Sequence, residues 1–313
     1  MGIKRYQHLY GPVPSRRLGR SLGIDLVPHK ICTYDCIYCQ IGKTTDKTLL
    51  RKEYVPVSKI LEEVKAFLSE GKGLVDYLSL SGSGEPTLHS RIGEVIKGIK
   101  GITSVPVAVI TNGSLLYEEE VRKDLLSADV VLPSMDAVSA EVFQKINRPI
   151  PGLSAAKTIE GLIEFRRTFS GQIWLEILFC KGVNDAPSEL MKMKEALDRI
   201  KPDLIHLNTV VRPPSEKRTT PLTQEEMEAI RTLLGEKAFI ISEFDRHMES
   251  VREQDLKEEI LRILKRRPLS LTDLSRGMGI PQGELEQEIG FLVSEGKIRK
   301  RLFGDSVYYE AII

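Results

Sequence analysis

No run of 18 or more consecutive apolar residues occurs in these 313 residues, which excludes a membrane-spanning helix. The opening residues Met1-Gly2-Ile3-Lys4-Arg5-Tyr6-Gln7-His8 lack the apolar core of a signal peptide. The expectation is a soluble cytoplasmic protein with no membrane partner. An excess of one charge is missing too. Lys plus Arg is 45 and Asp plus Glu is 44, a formal +1, so no global field draws nucleic acid or an anionic membrane. Only a local basic patch could do so. Cysteine is scarce, at four residues, whereas a secreted disulfide framework would be denser and evenly paired. There is no internal repeat beyond the alternation described next, and no low-complexity tract. With 41% apolar and 28% charged residues the chain is globular, and its length allows one large domain or two ordinary ones.

What is present is an alternation of strands and helices. Short β-rich apolar runs at 22–27, 77–81, 105–110, 130–132, 173–179 and 204–208 predict strands. Stripes of helical period at 57–70 (with Ser58 as N-cap), 90–100, 118–126, 140–145, 155–169, 188–200 and 224–234 predict helices. Such alternation means parallel βαβ units in an α/β fold. Six units fit either a doubly wound sheet or an open, partial (β/α)6 barrel of the TIM type. In both, chemistry sits at the carboxyl ends of the strands. The unusual motifs fall at those ends, after the first four strands.

The pattern changes after about residue 250. Helices are expected at 256–265, at 271–277 with Ser270 as cap, and at 284–295 after the turn Met278-Gly279-Ile280-Pro281. Residues 296–302 and 306–309 then form a two-stranded wing around Gly304-Asp305. This is a winged-helix pattern, so the expected domains are 1–245 and 251–313. The tail is neutral, with 11 basic and 11 acidic side chains in residues 251–313. Glu284, Glu286 and Glu288 on its third helix would repel phosphates, while Lys297-Ile298-Arg299-Lys300-Arg301 on the wing could touch RNA. Docking of a partner, nucleic-acid binding and a structural or dimerising role all remain open for it.

Three of the four cysteines, Cys32, Cys36 and Cys39, fall within eight residues. Thiolates are soft ligands suited to iron–sulfur clusters or zinc. Three local thiolates leave one iron of a cubane with an open position, unless the distant Cys180 closes it. A zinc site completed by His29 or His89 is the alternative. Lys30 and His29 could balance the negative charge of a cluster.

The spacing Cys32-x3-Cys36-x2-Cys39, with the aromatic Tyr38 before the last cysteine, resembles the signature of the radical S-adenosylmethionine (SAM) superfamily. The resemblance covers about residues 20–240. It implies that the three cysteines hold a [4Fe-4S] cluster whose fourth iron is chelated by SAM. One electron would then cleave the sulfonium to a 5′-deoxyadenosyl radical that abstracts hydrogen from a substrate. A flavodoxin- or ferredoxin-type electron donor is implied as partner. Ser83-Gly84-Glu85-Pro86 looks like the family's Gly-Gly-Glu-Pro motif, with Ser83 replacing the first glycine. In the family this backbone meets the methionine ammonium, and Glu85 would place a negative charge near it. Read without the family, Gly82-x-Gly84 is half of a dinucleotide fingerprint whose third glycine is replaced by Thr87.

Thr111-Asn112-Gly113 and Ser134-Met135-Asp136 end the third and fourth strands. Thr111, Asn112, Ser134 and Asp136 therefore offer groups for the ribose hydroxyls and carboxylate of SAM, although Asn-Gly and Pro-Ser are also ordinary turn pairs. Glu176 could point into the barrel. His206 and Asn208 could meet adenine or substrate. Cys180 is either a small buried residue or a substrate-facing thiol. Arg16, Arg17 and Arg20 flank Gly19 before the first strand and suit a phosphate or carboxylate, and Arg212 may add a second basic edge.

Residues 11–20 and 208–214 further resemble a wyosine-synthase-like group within the superfamily. That resemblance implies a transfer-RNA base as substrate. The wyosine synthase itself carries extra cysteines for a second cluster, and this chain has only Cys180 to spare. Two other classes fit the same motifs. One is a radical activase or maturase acting on a protein or metallocofactor. The other is a regulator that senses through a cluster and binds DNA through the tail.

Overall fold

The computed structural model describes residues 6–70, 75–241, 256–278, 280–304 and 306–312. The chain enters through β1 (Leu9–Ser15), which turns back as β2 (Gly19–Ile24) in antiparallel register. Two short strands follow, β3 (Ile31–Cys32) and β4 (Asp46–Lys47), paired with each other. The repeating part runs α1 (Val57–Ser69), β5 (Tyr77–Leu80), a 3-10 turn (Pro86–Leu88), α2 (Ile92–Ile102), β6 (Val107–Thr111), α3 (Glu119–Leu125) and β7 (Val130–Pro133). It continues through α4 (Ala140–Ile146), α5 (Ala155–Thr168), β8 (Gln172–Phe179), α6 (Pro187–Ile200), β9 (Leu204–Thr209), α7 (Gln224–Leu234) and β10 (Ala238–Ile240).

The large sheet has the order β1-β2-β5-β6-β7-β8-β9-β10. From β2 to β10 every pair is parallel. Spatial order follows chain order without reversal, so the crossovers all wind the same way. A doubly wound sheet would contain a switch point. Its absence here decides for the partial barrel, which remains open between β1 and β10.

β8 shows how the sequence builds this wall. Ile173, Leu175, Ile177 and Phe179 are fully buried against the helices, while Trp174, Glu176 and Leu178 alternate onto the inner face. A small second core of Leu18, Ala108, Val130 and Leu132, joined by Trp174, fills the inner space. Leu18 comes from the β1–β2 turn, so that hairpin tip folds into the barrel.

Four expectations need correction. β2 begins three residues earlier than expected and stops at Ile24. Helix α1 is preceded by Pro56, and Glu53 accepts the Val57 N–H at 3.0 Å, so Ser58 lies inside the first turn and is not the cap. The helix expected at 90–100 runs from Ile92 to Ile102. β1 and β10 had no counterpart in the sequence pattern. β1 carries Gly11, Pro12 and Pro14, which an edge strand tolerates because one side of its backbone needs no partner.

Residues 256–312 form α8 (Leu256–Leu264), β11 (Leu269–Ser270), α9 (Leu271–Met278), α10 (Gln282–Ser294), β12 (Ile298–Phe303) and β13 (Ser306–Ala311). The expected two-stranded wing is a three-stranded antiparallel sheet, β11-β13-β12. The Ser270 hydroxyl accepts the Asp273 N–H at 3.1 Å. Ile260, Ile263, Leu274, Leu285 and Ile289 share one core with Tyr10 and Val13 of β1, which ties this part to the barrel edge. The expected boundary between 245 and 251, Gly279 in the turn before α10 and Asp305 of the wing lie outside the described residues.

Candidate active site

The cysteine loop leaves β3 and is held at both ends. Its entrance is stitched to the turn after β5: Lys30 N–H donates to the Ser83 carbonyl at 2.7 Å, and Glu85 N–H to the Ile31 carbonyl at 3.0 Å. Gly84 makes this approach possible, since a Cβ there would stand 2.0 Å from the Ile31 oxygen. Glycine is thus required by the cysteine loop's own backbone. Lys30 adopts a left-handed φ of 58° and is almost wholly buried.

Each of the three sulfurs receives a side-chain N–H donor. Lys30 Nζ lies 3.1 Å from Cys39 Sγ. Asn112 Nδ2 lies 3.5 Å from Cys32 Sγ, and Asn147 Nδ2 lies 3.5 Å from Cys36 Sγ. Burial, then the Glu85 carboxylate, pushes the Cys32 thiol up to about 11. Burial, then Asp136, raises Cys36. Burial pulls the Lys30 ammonium down, but Cys39, Cys32 and Cys36 together hold it above its ordinary value. Donors aimed at sulfur are what a thiolate set needs, and they tune the potential of an iron–sulfur cluster.

The acidic residues Glu85 and Asp136 are held by donors inside the protein. Glu85 is 2% exposed and caps the 3-10 turn. It accepts from Thr87 N–H (3.1 Å), Thr87 Oγ1 (2.6 Å), Thr111 Oγ1 (2.6 Å) and Asn112 N–H (2.7 Å). Burial raises its pKa. Both oxygens are thereby committed to neutral donors inside the protein, and Glu85 works as a post that fixes the Thr111-Asn112-Gly113 turn beside Cys32. Asp136 is likewise buried. It accepts from the Tyr38 hydroxyl, from Asn147 Nδ2 at 2.8 Å and from Leu178 N–H at 2.9 Å. Burial pushes it up to about 6. Ser83 donates its hydroxyl to Asp25, which also accepts the Ser83 N–H at 3.1 Å. Asn184 Nδ2 donates to the Asp136 and Leu178 carbonyls at 2.8 and 2.9 Å. Asp25, Asn147 and Asn184 were not singled out in the sequence, where Asp25 stood only as the one acid inside the strand expected at 22–27.

The inner face of β7, β8 and β9 carries Ser134, Glu176, His206 and Asn208. Ser134 pairs with Glu176 across an isolated bridge, and Glu176 stands beside His206 in register. Glu176 is held by Arg17 from the hairpin tip and by Asn208 Nδ2 at 2.9 Å. Burial raises Glu176, but Arg17, Asn208 and Arg16 outweigh it and leave it below its ordinary value. Arg16 and Arg212 also belong to this region, and Arg212 Nη1 reaches Gln40 Oε1 at 3.4 Å, one residue past Cys39. Arg20 does not. It pairs with Asp76 at 3.1 Å beside the amino ends of β2 and β5, because one strand residue beyond Gly19 already points it away. Cys180 is fully buried in an apolar cluster with Tyr34, Ile37 and Phe143, behind the cysteine loop.

His206 is 8% exposed, its Nδ1 has no hydrogen-bond partner, and its ring meets Trp174 edge-on at 5.7 Å. Burial, reinforced by Arg17, pushes its pKa down to about 4. A histidine depressed in the folded state binds fewer protons there than when unfolded. Stability is therefore complete above about 6.5 and is lost as pH falls from 6.5 towards 4. The expected loss is roughly 3 kcal/mol. His206→Gln should flatten the melting temperature over that interval, and an unchanged slope would remove the assignment.

His89 is unavailable as a zinc ligand, since its Nε2 meets the Val55 carbonyl at 2.8 Å and its Nδ1 the Arg91 N–H at 3.2 Å. Among the described residues, no three His, Cys, Asp or Glu side chains gather closely enough for a single metal ion. Three soft thiolates, each supplied with an N–H donor, are a donor set that suits an iron–sulfur cluster. No helix among the described residues is long and apolar enough to cross a membrane.

Residues 26–194 match the family model of the Radical SAM superfamily, and the chain belongs to that superfamily. Its members use a [4Fe-4S] cluster and SAM, and this chain is an enzyme of that type. It is 33% identical over 306 residues to a UPF0026 protein of Methanocaldococcus jannaschii, covering 96% of this chain and 94% of that one. It is 37% identical over 306 residues to a Brachyspira hyodysenteriae protein named GTPase Obg, covering 97% of this chain and 45% of the relative, so it spans less than half of that protein's length. Among solved structures, Streptococcus suis SuiB bound to the precursor peptide SuiA superposes with a TM-score of 0.54 at 10% identity, over 70% of this chain and 48% of that one. At that identity the likeness is one of fold.

Proposed function

We propose that this protein cleaves SAM reductively and uses the resulting radical to take a hydrogen atom from a small-molecule substrate held inside the barrel. The observation that carries the reading is the set of three sulfurs, each with its own N–H donor, on a loop fastened to the turn at residues 82–85. When bound, the cluster supplies one electron to the sulfonium, breaking the C5′–S bond to give methionine and the 5′-deoxyadenosyl radical. The protein's share is placement. Cys32, Cys36 and Cys39 would hold three irons. The backbone at 82–84 lies against the cysteine loop, where it would meet the methionine ammonium. Ser134 and Asn208 offer a hydroxyl and an amide on the inner wall to the nucleoside, beside a Glu176 carboxylate that Arg17 and Asn208 hold in place.

The segment 256–312 reads as a winged helix that covers one side of the barrel. Its role as a nucleic-acid reader draws little support. Arg299 and Arg301 of the basic wing face Glu310, and Lys297 faces Glu295. Arg301 and Tyr308 also bind the backbone of Pro214 and Val211 at 2.8 and 2.7 Å, directing this side of the wing at the barrel. This arrangement favours a small substrate over a transfer-RNA base.

The test is anaerobic incubation of the iron-loaded protein with dithionite and SAM. Release of 5′-deoxyadenosine with methionine is expected, and release of neither would refute the reading. Cys180→Ala should keep its full iron content, because Cys180 is packed in the apolar cluster and is not needed as a ligand. Loss of iron in that variant would mean a closed four-thiolate site without an open iron.

A further inference from the structure

Three arginines from separate parts of the chain meet near the inner wall without enough negative charge to balance them. Arg16 comes from the β1–β2 turn, Arg212 from the exit of β9, and Arg267 from the end of α8. Arg16 feels Arg212 and Arg17, and Arg267 feels both Arg212 and Arg16. The carboxylates that act on them are Asp273 and Glu176. Glu176 is already held by Arg17 and Asn208. Asp273 is the other carboxylate prominent among their neighbours, so positive charge is in surplus around the three guanidinium groups.

Their hydrogen bonds are equally unfilled. Arg212 Nη1 has only the 3.4 Å contact to Gln40, and Arg267 Nη2 the Pro14 carbonyl at 3.2 Å. Arg212 Nε and Arg267 Nε are buried and have no partner. Burial, then the neighbouring Arg212, pushes Arg16 down to about 10 and Arg267 down to about 9. Unpaired charge in such a place is costly unless something arrives to pair with it.

We infer that Arg16, Arg212 and Arg267 bind the phosphate group of a phosphorylated small-molecule substrate. The inference rests on the radical reading above and names the substrate class for that site. A phosphate monoester carries about two negative charges near neutrality, which suits a surplus of positive charge. Its oxygens also suit several planar guanidinium forks, as a carboxylate's two do not. The group is partly enclosed by the hairpin, the β9 exit and the C-terminal helices. A nucleic-acid backbone would instead need an open basic stripe. Arg212 Nη1 meets Gln40 Oε1 at 3.4 Å, one residue past Cys39, so an anion held by Arg212 would sit near the cysteine loop.

The test is equilibrium dialysis of radiolabelled orthophosphate against the iron-loaded full chain, with and without saturating SAM. Wild type is expected to bind phosphate in both conditions, and Arg212→Gln or Arg267→Gln to weaken it about tenfold or more. Arg20→Gln, at the other end of the barrel, should bind like wild type. If a Gln variant does not fold, Arg212→Lys and Arg267→Lys keep the charge but lose the fork, and an intermediate loss is expected. The inference would be overturned by equal effects of the Arg212, Arg267 and Arg20 variants, by acetate binding as tightly as phosphate, or by displacement of phosphate by SAM. SAM cleavage is measured on the same wild-type preparation. Cleavage without phosphate binding sinks the anion site alone. Phosphate binding without cleavage sinks the radical reading and leaves the anion site as a binding function.

Discussion

Cys36→Ala is expected to lose bound iron and all SAM cleavage together. The sulfur is one of three ligands on a loop that has no spare thiol, since Cys180 lies fully buried in the apolar cluster behind it. Nothing else within the loop can replace a thiolate. Asn147, which points Nδ2 at Cys36, is a donor there and cannot ligate in that orientation. The fold itself should survive, because a Cys→Ala change at a partly buried loop position is worth about 1 kcal/mol. The measurement is iron per chain, 5′-deoxyadenosine released, and the melting temperature of the apo protein. The expected result is iron near zero, cleavage reduced by about a thousandfold or more, and a nearly unchanged apo melting curve. A variant that keeps its iron would show that Cys36 is not a ligand.

The second large effect is expected from a single methyl group. Gly84→Ala places a Cβ where the Ile31 carbonyl oxygen already stands, 2.0 Å away, and backbone cannot yield as a flexible side chain can. The turn at 82–85 and the entrance of the cysteine loop must then separate. Both hydrogen bonds that join them, Lys30 to Ser83 and Glu85 to Ile31, are strained or broken. Overpacking of this kind costs about 1–3 kcal/mol, and for a chain of this size that is a fall of roughly 3–10 °C in melting temperature. Iron loading should fall several-fold, because Cys32 follows Ile31 directly. Gly290→Ala in α10 is the control. Its new Cβ meets nothing within 4 Å, so the change should be neutral or stabilising by up to about 1 kcal/mol. If Gly84→Ala melts with wild type and carries full iron, the close approach is not what requires glycine there.

The two predictions mark different levels of legibility. The cysteine trio was visible without a structure: three thiols within eight residues mark a soft-metal site, and the resemblance to the radical SAM signature, not the spacing by itself, pointed to a [4Fe-4S] cluster rather than zinc. The α/β alternation was equally plain, since buried parallel strands and amphipathic helices each impose a period on the sequence. Edge strands impose neither, and β1 and β10 went unseen for that reason. Glu85 shows the limit at a single residue. Its place in a Ser-Gly-Glu-Pro turn suggested a charge offered to a ligand. The structure spends both oxygens on Thr87, Thr111 and Asn112, partners that lie up to 27 residues away.

The amino-acid order alone determined the soft-thiolate ligand set and the alternation of strands and helices, because ligand spacing and hydrophobic period are properties of short segments; the winding into a barrel came from the strand order of the folded sheet. Only the tertiary structure decided which charges meet. Arg20 and Arg17 are three residues apart, yet one pairs with Asp76 and the other reaches Glu176, 159 residues on. Arg16, Arg212 and Arg267 share one region although about 250 residues separate the first from the last. Coulomb energy depends on distance through space, and that distance exists only once the hairpin, the β9 exit and the C-terminal helices have packed on one another.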